Sequence, residues 1–378
     1  MIKGISDDIF KNIILKYIDD DDLSIMSQNM TNKMNDYIQN ELTSRSEYTY
    51  RDYVKLDKAI KPHVTKIITE FSFNQPIYKE LLPPNINRLT FGYNYDQIIN
   101  TLPESITYIK FGWNYNKKID KHVLPDGLKY LIFGEHYNQK INKNVLPNGM
   151  KYLKFGSSYN QQLDRDVLPY ELTQLIFGYC FDQTINKDVL PRGLTQLTFG
   201  GSFREPIQEH VLPIGLTHLT FGKEYNQKFD KGVLPDGLTH LTVGTHYNQP
   251  IDNDVLPSEL THLIFGDCFN QTINKDVLPR GITHITFGRN YDQILGKDIL
   301  PSGMTHLTFG DFYNQSFDKS VLPIGLTHLT FGCNYNQQFD KDVLPNGLTY
   351  LKIGRRYTRY LGKDVLPNNL KHLIYKDK

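Results

Sequence analysis

The sequence predicts a mainly β repeat solenoid, built of 22-residue coils whose strands align in a parallel sheet, with a small all-α N-terminal head. Three observations predict it. Leu-Pro recurs at Pro103, Pro125, Pro147, Pro169, Pro191, Pro213, Pro235, Pro257, Pro279, Pro301, Pro323, Pro345 and Pro367, each 22 residues after the last. Every interval carries the same apolar spacing, typified by Leu216, Leu219, Phe221, Tyr225, Phe229, Val233 and Leu234. Before about residue 60 that period is absent, and the apolar spacing is helical instead. A fixed period of this length marks units that cannot bury their apolar faces alone and gain a core only by stacking.

The head comes first in chain order. Ile5, Ile9, Ile13, Ile14, Leu15 and Ile18 follow the three-and-four spacing of an amphipathic helix, with Ser6 or Asp7 placed to cap it. The acidic run from Asp19 to Asp22 ends that helix, and Leu23, Met26, Met30, Met34, Tyr37 and Ile38 begin a second pattern. The expected layout is a helical head over 1–50, a linker over 51–63 and a solenoid of about 13 to 14 coils over 64–378. On the residues alone, the head reads as a cap shielding the open edge of the first coil.

Within a coil, the alternation of Leu-Thr-His-Leu-Thr-Phe puts Leu219 and Phe221 on one face of a strand and His218 and Thr220 on the other. Gly222 follows at a corner, where either a positive φ or a close backbone approach calls for glycine. Three residues later an aromatic, such as Tyr137, Phe181, Phe203, Tyr247 or Tyr335, is placed to fill the interior. From Val233 through Pro235 to Gly237 the chain is too short and too proline-bound for a full helix, so a turn or short 3₁₀ segment is expected. The unit after the first coil loses two residues between Tyr95 and Pro103.

Composition narrows the function. A net charge of +1, from 42 basic and 41 acidic residues, gives no electrostatic footprint for nucleic acid or an anionic membrane. Only Cys180, Cys268 and Cys333 are present, at unrelated repeat positions, which supports neither a disulfide framework nor a zinc set. The N-terminal MIKGISDDIF lacks the layout of a signal peptide, so a soluble chain of the cytoplasm or the nucleus is expected. No nucleophile elbow, phosphate loop or H-x-x-x-H pair occurs, and each Asp or His that draws notice is one copy of a repeated column. Catalysis needs a unique convergent cluster, so no enzyme, cofactor or metal is expected.

Copies can make a binding surface. Five residues after each repeat proline stand Tyr108, Tyr130, Tyr152, Gln174, Gln196, His218, His240, His262, His284, His306, His328, Tyr350 and His372. Six successive coils thus present histidine outward. A linear column brings no set of ligands to one point, which disfavours a metal, and neutral imidazoles stacked on a pleated surface are the plainest reading. With Thr198, Thr220, Thr242, Thr286, Thr308 and Thr330 alongside, the column also reads as a partner-binding face for a target protein. Asn-Gln pairs such as Asn138-Gln139, Asn226-Gln227 and Asn336-Gln337 form a second column, expected to satisfy one another and the corner backbone. The aspartates of Lys187-Asp188, Lys275-Asp276 and Lys341-Asp342 are expected to cap the turn before Val-Leu-Pro.

FNQPI at 73–77, YNQPI at 247–251 and the YNQ and FDQ variants between resemble the FNIP repeat over some 310 residues. That family is itself leucine-rich-repeat-like, which implies a curved solenoid with its strands on the inner side. ISDDIFKNIILKYIDDDDLSIMSQNM resembles the start of an F-box, with Ser6 in place of the usual proline and one residue more between Ile5 and Ile14. This second resemblance implies that Ile5, Asp8, Ile9, Ile14, Leu15, Ile18, Asp22 and Leu23 dock a Skp-type adaptor. The chain would then be the substrate-recognition subunit of a cullin-type ubiquitin ligase, monomeric outside that complex. An F-box-like head on FNIP repeats is the arrangement of giant viruses of amoebae and of social amoebae, which would place a viral copy in the host cytoplasm.

Overall fold

The computed structural model describes residues 64–375, together with the backbone of 47–50. The chain divides into two compact units, Met1–Met150 and Lys151–Lys378. In the first, the strands are β1 (Glu47–Tyr50), β2 (Lys66–Thr69), β3 (Arg88–Thr90), β4 (Tyr108–Lys110) and β5 (Tyr130–Ile132). They pair in chain order, parallel and in register. In the second, eleven strands run from β6 (Tyr152–Lys154) to β16 (His372–Tyr375), again parallel and paired with their sequence neighbours. Both units are therefore leucine-rich-repeat-like parallel β-solenoids. Among the described residues the only helical element is one 3₁₀ turn, Lys79–Leu81.

The expected helical head lies outside the described residues, and with it Ile5, Asp8, Ile9, Ile14, Leu15, Ile18, Asp22 and Leu23. The four head residues that are described do not form a helix. Glu47–Tyr50 forms a strand paired with β2, so the sheet starts ahead of residue 64.

Why each coil takes this shape follows from its apolar side chains. Leu216, Leu219, Phe221, Tyr225, Phe229, Val233 and Leu234 are each at most 5% exposed. Burial of such side chains is worth about 1.5–3 kcal/mol apiece, and a coil completes it only by stacking on its neighbours. The aromatics run as internal columns: Phe221 stacks on Tyr225 at 3.9 Å within its coil, and Tyr225 on Tyr247 at 6.5 Å in the next. The expected interior position of the corner aromatic is thus realised. On the far side the chain turns twice by i to i+3 bonds, Val233 N to Asp230 O and Leu238 N to Pro235 O, as the proline-bound segment requires.

Of the two reasons for a glycine at the corner, close approach is the one that operates. A Cβ on Gly266 would meet the carbonyl oxygen of Gly244 closer than real Cβ atoms ever come to another atom. The positive φ lies elsewhere, three residues before each repeat proline from Pro125 to Pro345, as at Asp166, Asp188, Asp254, Asp276, Asp298 and Asp342. His210, Ser320 and Gly232 occupy the same place in their coils, each with φ between 63° and 81°. The recurring aspartate therefore supplies the left-handed residue of the turn, and Asp, Asn and Gly are the types that best tolerate that conformation. Gly266→Ala should lower stability by about 2 kcal/mol or more. Gly237→Ala, whose Cβ would meet Ile214 O at an ordinary 3.5 Å, should be neutral or stabilising by about 0.5 kcal/mol. Urea unfolding of the two variants checks the contrast.

Candidate functional site

The outward face of the strands is made of two columns. In the first unit one column holds Arg88, Tyr108 and Tyr130, with the Arg88 guanidinium 3.9 Å over the Tyr108 ring. In the second unit it holds Tyr152, Gln174, Gln196, His218, His240, His262, His284, His306, His328, Tyr350 and His372. Strand pairing within each unit thus places every sequence-predicted residue of this face in register with its neighbours. The partner column carries Thr198, Thr220, Thr242, Thr286, Thr308 and Thr330.

The six imidazoles lie face to face. Successive ring centroids are 4.1–4.2 Å apart, with the planes within 12° of parallel. Their spacing is set from below by a threonine that the sequence reading passed over, the residue preceding each histidine. Thr239 Oγ1 reaches Thr217 O at 3.0 Å and the His240 Nδ1 at 2.9 Å. The same pair of contacts recurs at Thr217, Thr261, Thr283, Thr305 and Thr327. A hydroxyl has one proton, so it either donates to the carbonyl and accepts from Nδ1–H, or donates to Nδ1. Rotation of the hydroxyl together with a change of ring tautomer therefore lets each neutral ring offer an acceptor at Nε2 in the first case or a donor in the second. The signal in sequence was the invariable Thr-His pair over these six coils.

Three rings inside the stack are biased toward their neutral form. Desolvation, followed by repulsion from His306, His262, His240 and His328, pushes His284 down to about 4. Partial burial and then neighbouring rings lower His240 and His306 as well. Neutral rings remove the charge repulsion that a cationic column would carry. No group of three or more His, Cys, Asp or Glu side chains among the described residues could hold a metal ion.

Beside this face runs the asparagine column, and it works as a backbone ladder. Asn226 Oδ1 accepts the N–H of Asn248, Asn248 that of Asn270, and Asn270 that of Asp292, each at 2.9 Å. Gln249, Gln271 and Gln293 add their Nε2 donors to the same oxygens. The expected mutual satisfaction is therefore real. At Arg204 the column lacks its amide; the guanidinium reaches back to Asp182 at 2.6 Å, and Gln227 Nε2 turns to Arg204 O. On the turn side an open groove of about 550 Å³ has Leu234, Leu256 and Pro257 on its floor and Lys231, Asp254 and Asp276 on its walls.

Repeated columns of neutral, half-buried aromatic and hydrogen-bonding groups suit contact with another protein. No described helix is long and apolar enough to cross a membrane. Because each lowered imidazole binds protons more readily unfolded than folded, stability should be greatest above about pH 6.5 and fall as pH drops toward about 4. His284→Gln with His306→Gln, the amide found at Gln174 and Gln196, should flatten that slope. Urea midpoints of both proteins from neutral to acid pH measure the difference.

Comparison with known proteins agrees with this construction. The chain is similar over 88% of its length to CroV588, described as a novel circular LRR protein structure, at 41% identity and a TM-score of 0.83. It spans only 53% of that protein. Toll-like relatives share the fold alone: the TLR13 of a TLR13–ssRNA13 complex at 12% identity and TM-score 0.60, over 92% of this chain and 59% of that one, is one. The Drosophila Toll–Spatzle complex, at 11% and 0.59 over 87% and 55%, is another. No curated protein matches. The FNIP Repeat matches residues 73–101, 98–136, 137–180, 181–224, 225–268, 269–312, 313–356 and 335–375. The chain belongs to the FNIP repeat family.

Proposed function

We propose that this protein is a non-catalytic recognition subunit whose strand face holds a target protein while its N-terminal segment recruits a cullin-type ubiquitin ligase through a Skp-type adaptor. The observation that carries the first half is the column of six stacked imidazoles in the second unit, most of them half-buried and each with a ring nitrogen held by a threonine. Aromatic groups with a hydrogen-bonding edge are the common anchors of protein interfaces. The second half rests on the F-box-like residues Ile5, Asp8, Ile9, Ile14, Leu15, Ile18, Asp22 and Leu23. No residue here would perform chemistry. The chain would act by proximity, holding a target near the ligase and raising its effective concentration.

A plain interaction scaffold, with the N-terminal segment only a cap, is the second reading. The pairing of Glu47–Tyr50 with β2 favours it, since a segment that donates a strand to the sheet covers that edge. Calorimetric titration of a Skp-type adaptor into the full chain distinguishes the two. Micromolar or tighter binding, abolished by Ile14→Asp with Leu23→Asp while amide exchange in the coils stays unchanged, supports the ligase subunit. Absence of binding, or loss of exchange protection in the first coils of the variant, leaves the scaffold.

A further inference from the structure

The repeat is broken most sharply at one corner, in the coil that follows β15 (Tyr350–Ile353). The coil reads Gly-Arg-Arg-Tyr-Thr-Arg-Tyr over 354–360, with three arginines where every other coil carries at most one lysine or arginine at the same three places. From 350 to 371 six basic residues stand against one acidic residue, in a chain whose net charge is +1. The basic excess is therefore local, and none of these positions serves the core. Lys352, Arg355, Arg356, Arg359 and Tyr360 are all exposed, Tyr360 by 79%.

Several cations elsewhere on the second unit are paired with a carboxylate of the neighbouring coil. Lys231 pairs with Asp254 at 3.0 Å, Lys228 with Asp252 at 2.6 Å, and Arg204 with Asp182 at 2.6 Å. Lys352, Arg355, Arg356 and Arg359 make no ion pair among the described residues. Of these four, Arg355 acts electrostatically on the carboxylate of Asp311. That carboxylate is held below the usual range first by the N–H and thiol of Cys333, and more weakly by Arg289 and Arg355.

Two of the guanidinium groups are fixed by neutral acceptors. Arg356 Nη1 donates to Asn334 Oδ1 at 2.8 Å, and Arg359 Nε donates to Asn336 O at 3.1 Å. The asparagine columns that elsewhere only stitch coils together here aim two planar forks. The Nη pair of Arg359 and the remaining N–H groups of Arg356 are left for an acceptor, in the geometry that carboxylates match bidentately.

We propose that Arg355, Arg356 and Arg359, with Lys352 and Tyr360, form a docking site for a carboxylate-rich segment of a partner protein. The site is separate from any adaptor-binding role of the N-terminal segment. A single-stranded nucleic acid fits less well, because a backbone track needs cations strung along several phosphates, interleaved with aromatic platforms. Here the three arginines are gathered at one corner of one coil, with Lys352 on the strand that leads into it.

Fluorescence anisotropy of a labelled oligoglutamate of about ten residues, added to the full chain at about 50 mM salt, tests this. Arg355→Ser, Arg356→Asn and Arg359→Gln together restore the residue types of other coils, as at Ser157, Asn290 and Gln337, so the fold should be kept. The triple variant should bind at least about tenfold more weakly. Lys187→Gln with Lys275→Gln and Lys341→Gln, an equal change of net charge on the turn side, should cost less than about twofold. Equal losses in the two triple variants, undiminished binding by the arginine variant, or no binding of the peptide by the wild type would each overturn the proposal. So would preference for an oligouridylate of the same length.

Discussion

At the corner after each strand, the backbone of one coil touches the backbone of the coil before it, with no room for a side chain between them. Gly178, Gly200, Gly222, Gly244 and Gly266 all occupy this place, each against the carbonyl oxygen of the glycine one coil earlier. The contact fixes the separation of neighbouring coils at its smallest, so every other column must repeat at that same separation. Imidazoles 4.2 Å apart, asparagine oxygens within 2.9 Å of the next N–H, and threonine hydroxyls at 3.0 Å from a carbonyl all depend on it. A wider corner would stretch all of them together.

Columns built this way hold polar groups that would be costly one at a time. The carbonyl of Thr217 receives the N–H of Thr239, the N–H of His240 and the Thr239 hydroxyl, all at 3.0 Å. Inside, the arithmetic is less favourable. The hydroxyls of Tyr115, Tyr247, Tyr291, Tyr313 and Tyr335 are buried without a hydrogen-bond partner, and their pKa values are pushed upward by desolvation. Phe181, Phe203 and Phe269 stand in the same internal column, which identifies ring packing rather than the hydroxyl as what that position requires.

Much of the fold was legible because a column of identical contacts is written as a period. The strand, its buried face, the interior aromatic and the asparagine ladder each follow from residues 212–233 read once. What escaped was conformational or local. The aspartates of Lys-Asp-Val-Leu-Pro looked like caps, and only the company they keep, Gly232, Asn144 and His210 at the same place, marks a left-handed backbone. The threonine before each histidine drew no notice beside the imidazole it positions. The strand at Glu47–Tyr50 lies before the period starts, so no repetition announced it. Of the candidate site, the outward column was readable from Tyr108 onward; Arg88, in the irregular first coils, was not. The arginine corner was not, since a reading that looks for repeats is blind to the coil that departs from them.

The shortened coil between Pro83 and Pro103 has a further consequence. Its missing pair falls at the turn before Leu102, where other coils place a lysine and the left-handed residue, yet Ile99 and Leu102 remain buried. Strand, corner and asparagine column lie upstream of the loss and keep their register with β4. Unequal recombination between repeats can thus add or delete whole coils, and slippage within the far turn can trim one, without frameshifting any column. Each coil gained or lost changes the strand face by one strand, while substitutions confined to one corner, such as those at 355–359, alter that coil alone.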